Sequence, residues 1–323
     1  MRIREKLFPW SLLLIVLGSE AATPGSVDKA VNLFESEQYQ ASIQEANRVL
    51  EEHPDDSQAL NIKALSVSIL GDDETAIRLV SQALEASRKN EQATIAQQSD
   101  YWNNLGYFSE RQRNFEAALG YHKKSLEMRR AAFGDKDLRT ADSYNNIGTT
   151  LSRLGRYDEA FGYLNKNLTL RERLLGPNDH GVAVAVNNLG NVYNLKGDFE
   201  RSLPLFEQAL DIDLRLYGPD HPIIAARWNN VGDALRGLGR HDEAKIFLSK
   251  ALESDLATFG ESHPKVVLRY TNLGRTNEAR GDTLEASAAY TKALQILRNS
   301  YPGDLEQIDF LESKIKTLKA TSG

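Results

Sequence analysis

Asn103-Asn104-Leu105-Gly106 recurs as Asn145-Asn146-Ile147-Gly148, Asn187-Asn188-Leu189-Gly190, Asn229-Asn230-Val231-Gly232 and Thr271-Asn272-Leu273-Gly274, each copy 42 residues after the last. Two more glycine series keep that interval: Gly155, Gly197, Gly239 and Gly281, and Gly134, Gly176, Gly218 and Gly260. Three markers in one register restrict the chain to a repeat architecture. In such a fold each unit buries its apolar face only against its neighbours.

Each unit reads as two helices. In residues 220–260, Pro222 stands in the first turn of a helix, where its missing N–H is tolerated. Ile224, Trp228, Val231 and Leu235 follow at helical spacing. Gly239 ends that helix in the conformation a C′ glycine adopts easily. A second helix runs from about Asp242 to Thr258, with Ala244, Phe247, Leu248, Ala251 and Leu252 on its apolar side, and Gly260 ends it. Gly232 and Ala244 mark the close approach of the two helices, as do Gly148 with Ala160 and Gly274 with Ala286. Larger side chains there would overpack the hairpin, at about 1–3 kcal/mol. Pro204 falls inside a second helix, and the apolar register on either side predicts a helix that continues with a slight bend.

The pattern extends upstream in weaker form over residues 26–90, with Ala30 and Ala64 in the place of the close-contact glycine. Downstream, Leu305, Ile308, Leu311, Ile315 and Leu318 predict a final amphipathic helix, with residues 308–320 acting as a cap over the last core face. The expected fold is all-α: seven helical hairpins, two over residues 26–90 and five over 98–307, closed by a capping helix.

Trp102, Leu105, Gly106 and Ala118 carry the Trp-x-x-Leu-Gly signature with alanine twelve positions later, and so resemble the tetratricopeptide motif. The 42-residue interval, the Asn-Asn pair and the loops Leu175-Gly176-Pro177-Asn178-Asp179-His180 and Tyr217-Gly218-Pro219-Asp220-His221-Pro222 are similar to the repeats of kinesin light chains and their bacterial relatives. The resemblance implies a right-handed superhelical solenoid whose first helices line a concave groove. It also implies a protein or peptide partner held in that groove. The second asparagine of each pair (Asn104, Asn146, Asn188, Asn230 and Asn272) matches a family position that often hydrogen-bonds the ligand backbone or a terminal carboxylate, and an amide, both donor and acceptor, suits a peptide bond of any sequence. An asparagine in every unit could equally bond the neighbouring repeat and hold the stacking angle. The first asparagines (Asn103, Asn145, Asn187 and Asn229) belong to the same candidate face. So do the varying positions beyond them, among which Asn191, Asn194, Asp233 and Arg236 stand in the third and fourth copies. The groove charges read as mixed, Asp100, Asp142 and Asp233 against Arg153, Arg227, Arg236 and Arg275.

No catalytic motif appears, and no cofactor is expected. The chain has no cysteine, which excludes disulfides, thiol catalysis and cysteine-ligated metal. There is no His-Glu-x-x-His, P-loop or Gly-x-Ser-x-Gly pattern. His180, His221 and His263 read as a recurring loop position with a capping or bracing role. A net charge of −6 argues against a nucleic-acid partner. Arg2, Arg4 and Lys6, the apolar run Leu7 to Gly18 and the small residues Ser19, Ala21 and Ala22 match a secretory signal peptide over residues 1–21. That run is shorter than the roughly 20 residues of a membrane-spanning helix. The expectation is therefore a periplasmic or secreted scaffold with no membrane span after cleavage. The alternatives are an uncleaved tether that organises an envelope complex, or a self-assembling scaffold.

Overall fold

The computed structural model describes residues 26–89 and 94–321, so the expected leader over residues 1–21 lies outside the described residues. Among the described residues there are fifteen helices and no strand. They are α1 (Ser26–Glu35), α2 (Tyr39–Glu52), α3 (Ser57–Ile69), α4 (Asp73–Lys89), α5 (Ile95–Arg111), α6 (Phe115–Phe133), α7 (Leu138–Arg153), α8 (Tyr157–Leu175), α9 (His180–Lys196), α10 (Phe199–Tyr217), α11 (Pro222–Gly237), α12 (His241–Phe259), α13 (Pro264–Arg280), α14 (Thr283–Ser300) and α15 (Leu305–Thr321). The first fourteen form seven hairpins, and α15 follows the last.

The chain divides into two compact units within α8: an N-terminal unit ending at Leu170 and a C-terminal unit beginning at Arg171. In the N-terminal unit each helix from α1 to α7 packs on the next, and the first helices α1, α3 and α5 also touch in succession. In the C-terminal unit α9 to α15 pack consecutively, and α11 touches α13.

The glycine of each Asn-Asn-x-Gly element is a packing requirement. A Cβ on Gly148 would stand 2.6 Å from the Leu164 side chain and 3.3 Å from the Ala160 carbonyl oxygen. On Gly232 it would stand 2.7 Å from Leu248 and 3.3 Å from the Ala244 carbonyl oxygen. In the other hairpins His122, Phe206 and Tyr290 press on Gly106, Gly190 and Gly274 in the same way. The turn inside the hairpin is left-handed, at Gly155, Gly197, Gly239 and Gly281. In the hairpin before these the same place is held by Arg113, with φ 62°. Gly218 and Gly260 end their helices at φ 76°, ψ 171°, a region that only glycine enters readily.

Helix α10 runs without a break through Pro204, whose side chain is exposed. At the C-terminus, Ile308, Leu311 and Leu318 of α15 are buried with Val267, Tyr290 and Leu297. Leu305, read from the sequence as part of that apolar face, is instead 65% exposed at the start of the helix. Ion pairs Arg298–Glu312 and Lys314–Glu278 fix α15 from its polar side.

Candidate ligand-binding face

The paired asparagines lie in the middle of each first helix, one turn from the glycine on which the hairpin closes. There they bond from one repeat to the next. Asn104 Nδ2 donates to Asn61 Oδ1 at 2.9 Å, and Asn146 Nδ2 donates to Asn103 Oδ1 at 2.8 Å. In the C-terminal unit Asn230 Nδ2 donates to Asn187 Oδ1 and Asn272 Nδ2 to Asn229 Oδ1, both at 2.8 Å. Every rung has the same sense: the second asparagine of the later repeat donates to the first asparagine of the earlier one. Asn145 accepts from Asn167 Nδ2 at 3.5 Å, within its own hairpin.

Burial grades these residues. Asn104 and Asn272 are buried, as are the first asparagines Asn103, Asn187 and Asn229, whereas Asn145, Asn146, Asn188 and Asn230 are half-buried. A neutral hydrogen bond contributes about 0.5–1.5 kcal/mol net, but losing one partner of a buried pair costs about 1–3 kcal/mol. The ladder therefore holds neighbouring first helices at a set distance. Asn61 belongs to it and was missing from the sequence reading. The signal was present: Ala64 lies 42 residues before Gly106, which aligns Asn61 with Asn103. The series ends at Thr271, which occupies the first-asparagine place and turns its hydroxyl onto its own helix, donating to the Val267 carbonyl oxygen at 2.8 Å.

Beyond the ladder, Asn191, Asn194, Asp233 and Arg236 are half-buried on α9 and α11. Asn194 Nδ2 donates to Asp233 Oδ2 at 3.1 Å, and Arg236 donates to Asp233 Oδ1. This cluster brings three of the four sequence candidates together across two repeats. It leaves a buried acceptor, Asn194 Oδ1, and a buried donor, Arg236 Nε, without a partner.

The mixed-charge reading needs a correction at Arg227. Its side chain is not on the ligand face. It is 5% exposed and donates from Nε to Asp213 Oδ2 of α10 at 2.7 Å. Helical spacing assigned Arg227 an angle on α11 but gave no account of the preceding second helix that covers it. Arg269 repeats the arrangement with Asp255 at 2.8 Å. In the N-terminal unit Arg129 of α6 donates to Asp100 Oδ1 and Ser143 Oγ, both at 3.1 Å. Burial pushes the Asp100 carboxyl above its ordinary value, against the pull of Arg129. Burial also acts to raise Asp213, but the His180 bond and the Arg227 guanidinium outweigh it and hold that carboxyl below its ordinary value. Arg275 is exposed and lies over the Phe310 ring at 5.3 Å.

The three loop histidines are not equivalent. His221 and His263 stand 42 residues apart and cap α11 and α13. His180 falls one position later in the repeat, leaving Asp179 as the cap of α9, and its Nδ1 lies 2.8 Å from Asp213 Oδ1. Among the described residues no group of three or more histidine, aspartate or glutamate side chains could hold a metal ion, and no helix is long and apolar enough to cross a membrane.

The tetratricopeptide repeat family model matches residues 27–91 and, in overlapping copies, 97–173, 150–215, 181–257 and 225–299. The chain belongs to the tetratricopeptide repeat family. That fold is a scaffold that generally mediates protein interactions and is typically non-catalytic. Similar solved structures include BtubC (BKLC) from P. vanneervenii, 20% identical over 73% of this chain and 94% of that chain, with a TM-score of 0.57. A putative kinesin light chain from P. anserina with nearly identical repeats is 16% identical over 62% of this chain and 96% of that one, with a TM-score of 0.52. The apo form of RapI is 15% identical over 86% of this chain and 98% of its own, with a TM-score of 0.68. At these identities the likeness establishes the fold alone. No curated protein matches the sequence.

Proposed function

We propose that the protein is an exported, non-catalytic scaffold that holds a partner polypeptide against the face of its first helices. The observation that carries this reading is the Asn194–Asp233–Arg236 cluster. It spans two repeats and leaves one acceptor, Asn194 Oδ1, and one donor, Arg236 Nε, unmatched. A peptide bond offers the complementary pair, one N–H and one C=O. The half-buried second asparagines Asn188 and Asn230 lie on the same two helices as the cluster, and the rung formed by Asn230 engages only Nδ2. Binding of this kind grips the backbone, while Asn191, Asp233 and Arg236 select among side chains. Export rests on the basic, apolar and small-residue pattern of residues 2–22.

The test is a crosslinking pull-down from an envelope fraction of the host, comparing the wild-type chain with Asn194→Ala/Arg236→Ala. A partner captured by the wild type and lost by the folded variant supports the cluster as the contact. Equal capture by both moves the binding surface elsewhere. Loss of about 21 residues from the purified protein, read by mass, supports export with cleavage, and retention of the full mass supports a tethered form instead.

A further inference from the structure

Four consecutive first helices carry their N-cap at the same point of the repeat, but the residue changes along the chain: Asp137 for α7, Asp179 for α9, His221 for α11 and His263 for α13. The aspartates accept from Arg139 N at 2.8 Å and Gly181 N at 2.7 Å. The histidines do the same work through a ring nitrogen. His221 Nδ1 accepts from Ile223 N at 3.3 Å, and His263 Nδ1 accepts from Lys265 N at 3.2 Å.

An imidazole accepts at Nδ1 only when it is neutral with its proton on Nε2. Protonation turns Nδ1 into a donor facing a backbone donor. It also places a positive charge at the positive end of a helix dipole. A carboxylate cap keeps its charge and its acceptor down to about pH 4, whereas an ordinary histidine changes state near pH 6.5. We propose that His221 and His263 are acid-sensitive caps, so that mild acidification releases the starts of α11 and α13 while α7 and α9 stay capped. The helices so loosened carry Asn229, Asn230, Asp233, Arg236 and Asn272.

The surroundings of the two rings differ. His221 stacks on Tyr217 of α10 at 4.6 Å and 22°, beside Asp220 of its own loop. The same tyrosine meets His180 edge-on at 5.4 Å and is within electrostatic reach of Asp213 and Asp179. Asp213 is in turn paired with Arg227 and bonded to His180. His263 stacks on Phe259 of α12 at 4.4 Å and 20°. Lys265 Nζ lies over that ring at 4.4 Å and opposes a second cation. Asp255 is paired with Arg269, Glu261 lies two residues away, and the Tyr301 hydroxyl bonds the neighbouring Ser262 carbonyl oxygen.

The experiment is amide hydrogen exchange of the full chain, read by NMR at Ile223, Lys265, Arg139 and Gly181 from pH 7.5 to 5 and corrected for the intrinsic pH dependence. Wild type is compared with His221→Asn/His263→Asn, whose caps accept without titrating. The expected result is a loss of protection at Ile223 and Lys265 of roughly threefold to tenfold, the range of a lost N-cap. Arg139 and Gly181 should stay flat, and the asparagine variant should stay flat throughout. Unchanged protection at Ile223 and Lys265 in the wild type overturns the proposal. So does the same acid loss in the variant, or a parallel loss at Arg139 and Gly181. Should the variant not fold, the contrast between histidine and aspartate caps within the wild type decides alone.

Discussion

Arg129 in the N-terminal unit and Asp213 and Asp255 in the C-terminal unit occupy the same place of the repeat, 84 and 126 residues apart, with opposite charge. Arg129 reaches forward to Ser143 and back to Asp100, which keeps 23% of its side chain exposed. Asp213 and Asp255 reach forward to Arg227 and Arg269, and both pairs are almost fully buried. The repeat therefore specifies a polar bridge between a second helix and the next first helix, but not its sign. Whichever charge occupies the second helix, its counter-charge stands on a first helix. The C-terminal version is the drier one, so it depends more heavily on both partners being present.

Four groups of tests would break or sharpen this contrast. The largest effect is expected from Arg227→Ala, which leaves the carboxylate of Asp213 buried with only His180: about 3–5 kcal/mol, read from the denaturation midpoint. Arg129→Ala should cost less, because Asp100 can be hydrated, and equal losses at the two sites would remove the distinction. Next comes the amide ladder, which both units share. Asn230→Ala and Asn146→Ala should each cost about 1–3 kcal/mol by stranding Asn187 and Asn103. A double-mutant cycle between Asn230 and Asn187 should show coupling, and additive losses would mean that the rung does not hold the repeats together.

Smaller, and of opposite sign, is Arg113→Gly. A left-handed non-glycine residue is unfavourable by about 1–2 kcal/mol, so glycine should raise the melting temperature, while Gly197→Ala at the equivalent turn should lower it. The smallest effect is a response to acid. Asp213 is depressed, so its stabilisation is present above the unfolded carboxylate value of about 3.9 and is lost as the pH falls through its folded value. Asp100 is raised, so between its folded value and about 3.9 the native state binds the proton more tightly, and stability at that site increases as the pH falls. Hydrogen exchange below pH 5 should show the α10–α11 junction weakening before the α5–α6 junction; the reverse order would contradict both directions.

Helices and hairpin closures were legible because they depend on residues close in sequence. The Gly232–Ala244 and Gly148–Ala160 approaches follow from helical spacing within one hairpin, and the passage of α10 through Pro204 follows from an apolar register unbroken on either side. What connects one repeat to the next was less legible. The sequence shows an amide in every copy but not that Asn104, Asn146, Asn230 and Asn272 each face another 43 residues away, so a structural and a ligand-binding role stayed open. Arg227 shows the same gap: its burial is created by α10, 14 residues earlier in sequence. The one-residue offset of His180 from the repeat was visible in the spacing, and it separates a side chain that bonds Asp213 from two that cap helices.

The sense of the amide rungs has a consequence for the length of the array. Within each unit a second asparagine donates to the first asparagine of the first helix before it, so a duplicated unit of 42 residues inserted at such a rung would leave neither neighbour mismatched. That freedom stops at both margins. In α3 the place of the donor is taken by the apolar Ile62, so Asn61 can be joined from one side only. In α13 Thr271 turns its hydroxyl inward, and no amide is offered to whatever follows. One aliphatic side chain and one hydroxyl thus mark where the amide ladder begins and ends, while the α1–α2 hairpin stacks on α3 without a rung.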